Sequence, residues 1–228
     1  MPQAQNSIDI PLPLLRLLSA SLPVGAFAYS RGLEHAVASG RVMNADQVRD
    51  WIFGALEHSY ARLDGALFLR LMSALKENDT AAFARADGWL SAARESRELQ
   101  QEDQRTAEAL MTLLIDLDTP LAKGPFKAHC RSYPAVYALA AFDLEVPPRA
   151  ALSGLMWAMC DAQIAAAIRL SCIGQIDGQR ILGDAPEVIA NCVSISETLD
   201  DSDIGNVSVM LAIGSAQHEV QTSRLFRS

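Results

Sequence analysis

Few folds can accommodate the stretch from Ala150 to Cys172, AALSGLMWAMCDAQIAAAIRLSC. Its large apolar residues, Leu152, Leu155, Met156, Met159, Ile164, Ile168 and Leu170, recur at helical spacings of three and four. Alanines and Gly154 fill the positions between them and leave thin faces that neighbouring helices can approach closely. A helix apolar nearly all round belongs inside other helices or inside a membrane. The run approaches spanning length, but Asp161, Gln163 and Arg169 interrupt it and its alanines lower its hydropathy. It therefore reads as the central helix of a bundle. The segment that follows, Gly174-Gln175-Ile176-Asp177-Gly178-Gln179-Arg180, reads as a rigid polar turn displaying Gln175, Asp177 and Gln179. A phosphate-cradling loop is disfavoured there, because the spacing is GxxxG and no strand precedes it.

The rest of the chain supplies helices to surround that centre. Residues Met1 to Pro13 read as a loose leader, and Leu14 to Ala20 as a short apolar helix. Pro23 and Gly25 mark a shaped loop with Val24, Phe27 and Tyr29 in it. Ser30 caps the next helix, Glu34 suits its positive end, and Gly40 stops it. Asn44 and Gln47 form a capping box before a stripe of Val48, Trp51, Ile52, Ala55 and Leu56. A second stripe runs Leu63, Leu67, Leu71, Leu75, and Asp79 or Thr80 caps a helix through Phe83, Trp89 and Leu90. Ala93 to Arg105 is strongly polar and joins an amphipathic pattern from Ala107 to Leu117. One long helix is expected, its first half solvated or facing a partner. Pro134 opens a helix at a position where its missing N–H costs little. Further helices are expected to start at Asp184-Ala185-Pro186-Glu187 and near Asn206. No strand alternation and no repeat is evident. The sum is an all-α, single-domain bundle of about ten helices, residues 14–216, with a leader 1–13 and a tail 217–228.

Composition narrows the function classes. A chain of 228 residues can bury a full core without staples. Its net charge of -8 argues against nucleic acid as the main partner, since phosphate binding needs a basic surface. The N-terminus has no charged region followed by an apolar one, so no secretory signal is read. Four cysteines, none in a CxxC pair, fit reduced thiols in a cytoplasm.

Chemistry-bearing motifs are few. The histidines His35, His58, His129 and His218 are scattered, and no HExxH, GxSxG or Walker loop occurs. Asp200-Asp201-Ser202-Asp203 lacks the spacing of an EF-hand and reads as a turn whose acids cap the final helix. His129-Cys130 reads as packing, because adjacent residues rarely bind one metal alone. No catalytic residue, metal ligand or cofactor is assigned. The tail is the exception: Arg224 and Arg227 flank Leu225 and Phe226, the composition of an interface anchor.

Taken together, PVGAFAYSRGLEHAV at Pro23 to Val37, AAAIRLSCIGQIDGQRIL at Ala165 to Leu182 and QHEVQTSRLFRS at Gln217 to Ser228 resemble the urease accessory protein F (UreF) family. The resemblance covers nearly the whole chain. It implies an all-helical cytoplasmic protein that dimerises and has no enzymatic activity of its own. It implies a chaperone that binds a UreD/UreH accessory protein, recruits the nickel-carrying GTPase UreG and delivers nickel to apo-urease. No nucleic acid and no membrane is implied. Ser223, Arg224, Leu225, Phe226, Arg227 and Ser228 match the family's partner-docking tail. Gly174, Gln175, Asp177, Gly178, Gln179 and Arg180 match its signature turn, a candidate partner surface. An alternative within the same resemblance is stimulation of the GTPase by an inserted arginine, with Arg180 the candidate by position. A terpenoid-type synthase built on the Asp200 cluster is disfavoured, because DDxxD spacing and a second acidic site are missing.

Overall fold

In the computed structural model, which describes residues 11–228, the Ala150 run lies within helix α8 (Pro148–Arg169). Its buried residues include Leu152, Leu155, Met156, Cys160 and Ile164, with Ala151, Gly154, Ala166 and Ala167 between them. Two thin positions explain the centrality. A Cβ at Gly154 would stand 2.7 Å from Leu14 Cδ1 and 3.1 Å from the Tyr137 hydroxyl, so glycine lets two neighbouring helices close in. These are α1 (Leu12–Leu17) and α7 (Tyr133–Asp143). Helix α8 is the one described helix long and apolar enough to cross a membrane, and more than half of its most apolar window is buried in the bundle.

Around it, α2 (Leu33–Ala38) and α3 (Ala45–Ala55) come first. Asn44 accepts the Gln47 amide and Gln47 reaches back to the Met43 N–H, so the expected capping box opens α3. Helix α3 then passes unbroken through a π-helical stretch (Leu56–Gly65) into α4 (Ala66–Glu77). The widened turns leave carbonyls free: His58 and Arg62 accept from Val207 and Gly205 of the loop before the last helix. Asp79 caps α5 (Thr80–Ala92) and Ser96 caps α6 (Arg97–Asp116). Helix α9 (Gln175–Thr198) lies along α8, and α10 (Val209–His218) packs on α2 and α6. No strand occurs among the described residues, so the fold is all-α.

Five expectations need correction. Of the leader 1–13, residues 1–10 lie outside the described residues, and α1 already begins at Leu12. Gly174 to Arg180 is not a turn: Gln175 to Arg180 are the first turns of α9, with Asp177 in its first turn. Nor does a helix start at Asp184, because α9 runs straight through Pro186. An interior proline costs about 3 kcal/mol. Here it sits on the solvent face, while Ile181, Ala185, Ile189 and Cys192 are buried on the other. The two isoleucines alone return roughly 1.5–3 kcal/mol each, enough to hold the helix. The acids of the Asp200 cluster do not cap α10; Asp201 pairs with Arg70 at 3.0 Å. Finally, the polar half of α6 is solvated on one face alone: Arg97, Gln100, Gln104 and Arg105 are exposed, but Glu98, Leu99, Glu102, Asp103 and Thr106 are buried.

Candidate functional site

The buried side of α6 faces the tail. Glu34 on α2 is the hub: one carboxylate oxygen accepts the Leu225 N–H at 2.6 Å, the other the Phe226 N–H at 2.9 Å. That second oxygen also meets His218 Nε2 at 3.0 Å, while His218 Nδ1 lies 2.7 Å from Glu98 Oε2. The other oxygen of Glu98 accepts from Arg224 at 2.7 Å. One turn further along α6, Glu102 accepts from Arg31 Nε at 2.6 Å and from the Ser228 hydroxyl at 2.8 Å. Ser30 donates its N–H, and also its hydroxyl, to the Ser228 carbonyl, and the Arg227 N–H bonds to Ala28. Arg169, at the end of α8, lies over the Phe226 ring at 4.5 Å from its centroid and donates to the Phe27 carbonyl. The tail is thus bound through its backbone, the buried Phe226 ring and the side chains of Arg224 and Ser228, while Leu225 and Arg227 are exposed and bond only through their amides.

A second layer of charge lies behind the first. Arg94 grips Asp64 with both terminal nitrogens, at 2.7 and 3.1 Å, and Asp103 with Nε at 2.9 Å. Asp103 also accepts the Tyr133 N–H, and Asp87 accepts from Ser132 and from the Arg131 N–H. These bonds make the layer structural. Burial pushes the Tyr60 phenol up to about 12, with Arg31 donating to its oxygen. Burial also raises the Asp87 carboxyl against its hydrogen bonds. For Glu34 burial pushes upward, but the Leu225 amide, His218 and the Phe226 amide together hold it below the usual range. Burial pushes the Cys130, Cys160 and Cys192 thiols to about 12, which keeps them protonated and unreactive. The cavity between Arg31, Tyr60, Arg94 and Asn206 is about 20 Å³, space for about one water and none for a substrate. Among the described residues no group of three or more His, Cys, Asp or Glu side chains is placed to hold a metal ion.

The two sequence-predicted segments meet the same end of α8. The tail reaches it through Phe226 on Arg169, and the start of α9 through Gly178 against Ile164 and Ile168. Ser223, Arg224, Leu225 and Arg227 are exposed; Phe226 and Ser228 are buried. Gln175, Gln179 and Arg180 point to solvent beside an exposed Ile176, and Arg180 pairs with Asp177 at 3.0 Å. Gly174 is exposed at the helix start and Gly178 is buried. Sequence reasoning missed Glu98, Glu102, Asp103, Arg31, Arg94 and His218. A signal existed: Glu98, Glu102 and Thr106 recur every four residues, on the same stripe as Leu110 and Leu114.

The fold and this site define a class: an all-helical protein closed by its own C-terminal segment, its buried charges spent on holding helices and tail. The family model described as UreF matches residues 42–185. Over its full length the chain is 50% identical to all of the urease accessory protein UreF 2 of Brucella anthropi. It is 40% identical to the urease accessory protein UreF of Alkalilimnicola ehrlichii, over 94% of each chain. For the UreF of Azoarcus sp. the figure is 38%, over 95% of this chain and 96% of that one. The chain belongs to the UreF family of urease accessory proteins.

Proposed function

We propose that this protein is a non-catalytic scaffold in urease maturation. It works in the cytoplasm as a homodimer, binds a UreD/UreH accessory protein, recruits the GTPase UreG and promotes nickel insertion into apo-urease. Membership of the UreF family, with full-length relatives named as urease accessory proteins, carries this reading. The exposed Arg224, Leu225 and Arg227 beside a helix end bearing Gln175, Ile176, Gln179 and Arg180 support a partner surface at this end of α8. Most of the buried charges are paired with one another, which leaves them structural work.

The test is co-purification with UreD/UreH and UreG, followed by nickel-dependent activation of apo-urease. The wild-type protein is expected to form the complex and support activation, and a failure of both would end the reading. Deleting Leu225 to Ser228 is expected to abolish complex formation. A second reading, acceleration of GTP hydrolysis by UreG, draws on the exposure of Arg180 at the start of α9. Single-turnover hydrolysis in the full complex checks it, since an unchanged rate with Arg180→Ala removes that residue.

A further inference from the structure

The imidazole of His218 is fully buried and both its nitrogens face carboxylates, Glu34 at 3.0 Å and Glu98 at 2.7 Å. Carboxylates only accept, so satisfying both contacts takes two ring donors, which only the imidazolium has. The two glutamates that hold the ring also hold the tail. Glu34 accepts the Leu225 and Phe226 amides, and Glu98 accepts Arg224. We propose that His218 is a protonation-operated latch: charged, it fixes the tail from Arg224 to Ser228 on the bundle; neutral, it lets the tail go.

The reason is that neither neutral tautomer preserves the clasp. If the proton stays on Nδ1, the Nε2 lone pair faces Glu34 Oε2, the oxygen that accepts the Phe226 amide. If it stays on Nε2, the Nδ1 lone pair faces Glu98 Oε2 at 2.7 Å, and Glu98 is the partner of Arg224. Either way one tail anchor sits on a buried carboxylate that has lost a charged donor and now faces a lone pair instead.

The surrounding charges set the sign. From α2 come Glu34 and His35, the latter bonded through Nδ1 to Gln221 at 3.3 Å. From α6 come Glu98 and Glu102, the latter neutralised by Arg31. From the chain after α10 come Arg224 and Glu219, whose carboxylate accepts the Arg97 and Glu98 amides rather than facing the ring. Removing the His218 charge leaves Glu34 with no cationic partner. Docking of the tail is therefore complete at lower pH and is lost as pH rises through the histidine. The rest of the bundle has α8, α9 and the Arg94 layer to hold it and stays folded.

Amide exchange and nitrogen-15 spectra of the full chain test this. Between about pH 6 and about pH 9, protection of the Leu225 and Phe226 amides is read after correction for intrinsic exchange. It is expected to fall by up to about tenfold per pH unit above the midpoint, in step with the His218 ring shifts, while far-UV circular dichroism stays constant. In His218→Gln the tail signal is expected to lose its pH dependence in this range. Should that variant misfold, Glu98→Gln serves: losing one anion destabilises the imidazolium, so the midpoint moves to lower pH. A neutral His218 ring at about pH 6 with the tail docked overturns the latch. So does titration of the ring without tail release, or an unmoved midpoint in Glu98→Gln.

Discussion

Along the seam between α8 and α9, Ile164 and Ile168 close on Gly178, and Ile181, Ile189 and Cys192 continue as a buried stripe. At the clasp between α2, α6 and the tail, three glutamates, two arginines and a histidine do the same job. Both regions are buried, but the seam joins two consecutive helices while the clasp gathers residues from α2, α6 and the chain's end. They differ in what failure costs. An apolar seam loses stability in proportion to area or fit. A charged clasp loses little while complete, and a great deal once one member is missing, because its partner remains buried and unsatisfied. The seam therefore suits a permanent contact, and the clasp suits one that opens.

The largest expected effect comes from breaking the charged layer at its most connected member. Arg94→Ala leaves the buried Asp64 and Asp103 without their shared cation. A loss of about 3–5 kcal/mol is expected, read from the midpoint of urea unfolding. A loss under about 1 kcal/mol would mean that this layer behaves like a surface pair. Next comes the seam. A Cβ at Gly178 would lie 2.9 Å from Ile164 Cγ2 and 3.0 Å from Ile168 Cδ1. Gly178→Val is expected to cost about 1–3 kcal/mol by overpacking, and to lower the thermal midpoint without changing tail protection. Tail release in that variant would show that the two regions are coupled through the end of α8.

Acid opens the clasp from its other side. Docking holds the Glu34 carboxyl below the ordinary glutamate value of 4.5. Its contribution is thus full above that value and is lost as pH falls through the lowered one. Protection of the Leu225 and Phe226 amides should fall in that acid range before the bundle melts. Glu34→Gln is expected to remove that acid transition and to weaken docking at neutral pH. A wild-type tail that stays protected until global unfolding would contradict this.

How much of this was legible follows from the same contrast. Helix α8 could be read from the Ala150 run because apolar periodicity reports burial directly. Gly154 and Gly178 showed as small residues, but only the packed neighbours reveal which contacts they permit. The clasp was misread because Glu98, Glu102 and Asp103 look like a solvated face until Arg31, Arg94, Arg224 and His218 arrive from other elements. Pairing across long sequence separations carries no local pattern. Pro186 misled for a similar reason: a local stop signal was overridden by burial on the opposite face of α9. The tail was recognised from its composition, yet its anchoring through backbone amides on Glu34 leaves no trace in side-chain type.

The smallest expected effect on stability lies where the comparison runs out, on the solvent face at the start of α9. Arg180 and Asp177 form an exposed pair at 3.0 Å, three residues apart on one helix. Such pairs contribute about 0.5 kcal/mol or less, and Asp177 keeps its favourable place in the first turn whether or not Arg180 is present. Arg180→Ala should therefore leave thermal and urea midpoints within error of wild type, and tail protection unchanged. That neutrality makes it informative. If Gln175, Ile176, Gln179 and Arg180 meet a partner, removing the arginine weakens capture of that partner while the fold is intact. An affinity measured with the purified accessory complex separates the possibilities. Unchanged stability with weaker capture makes this helix end a recognition surface, and unchanged capture confines recognition to the tail.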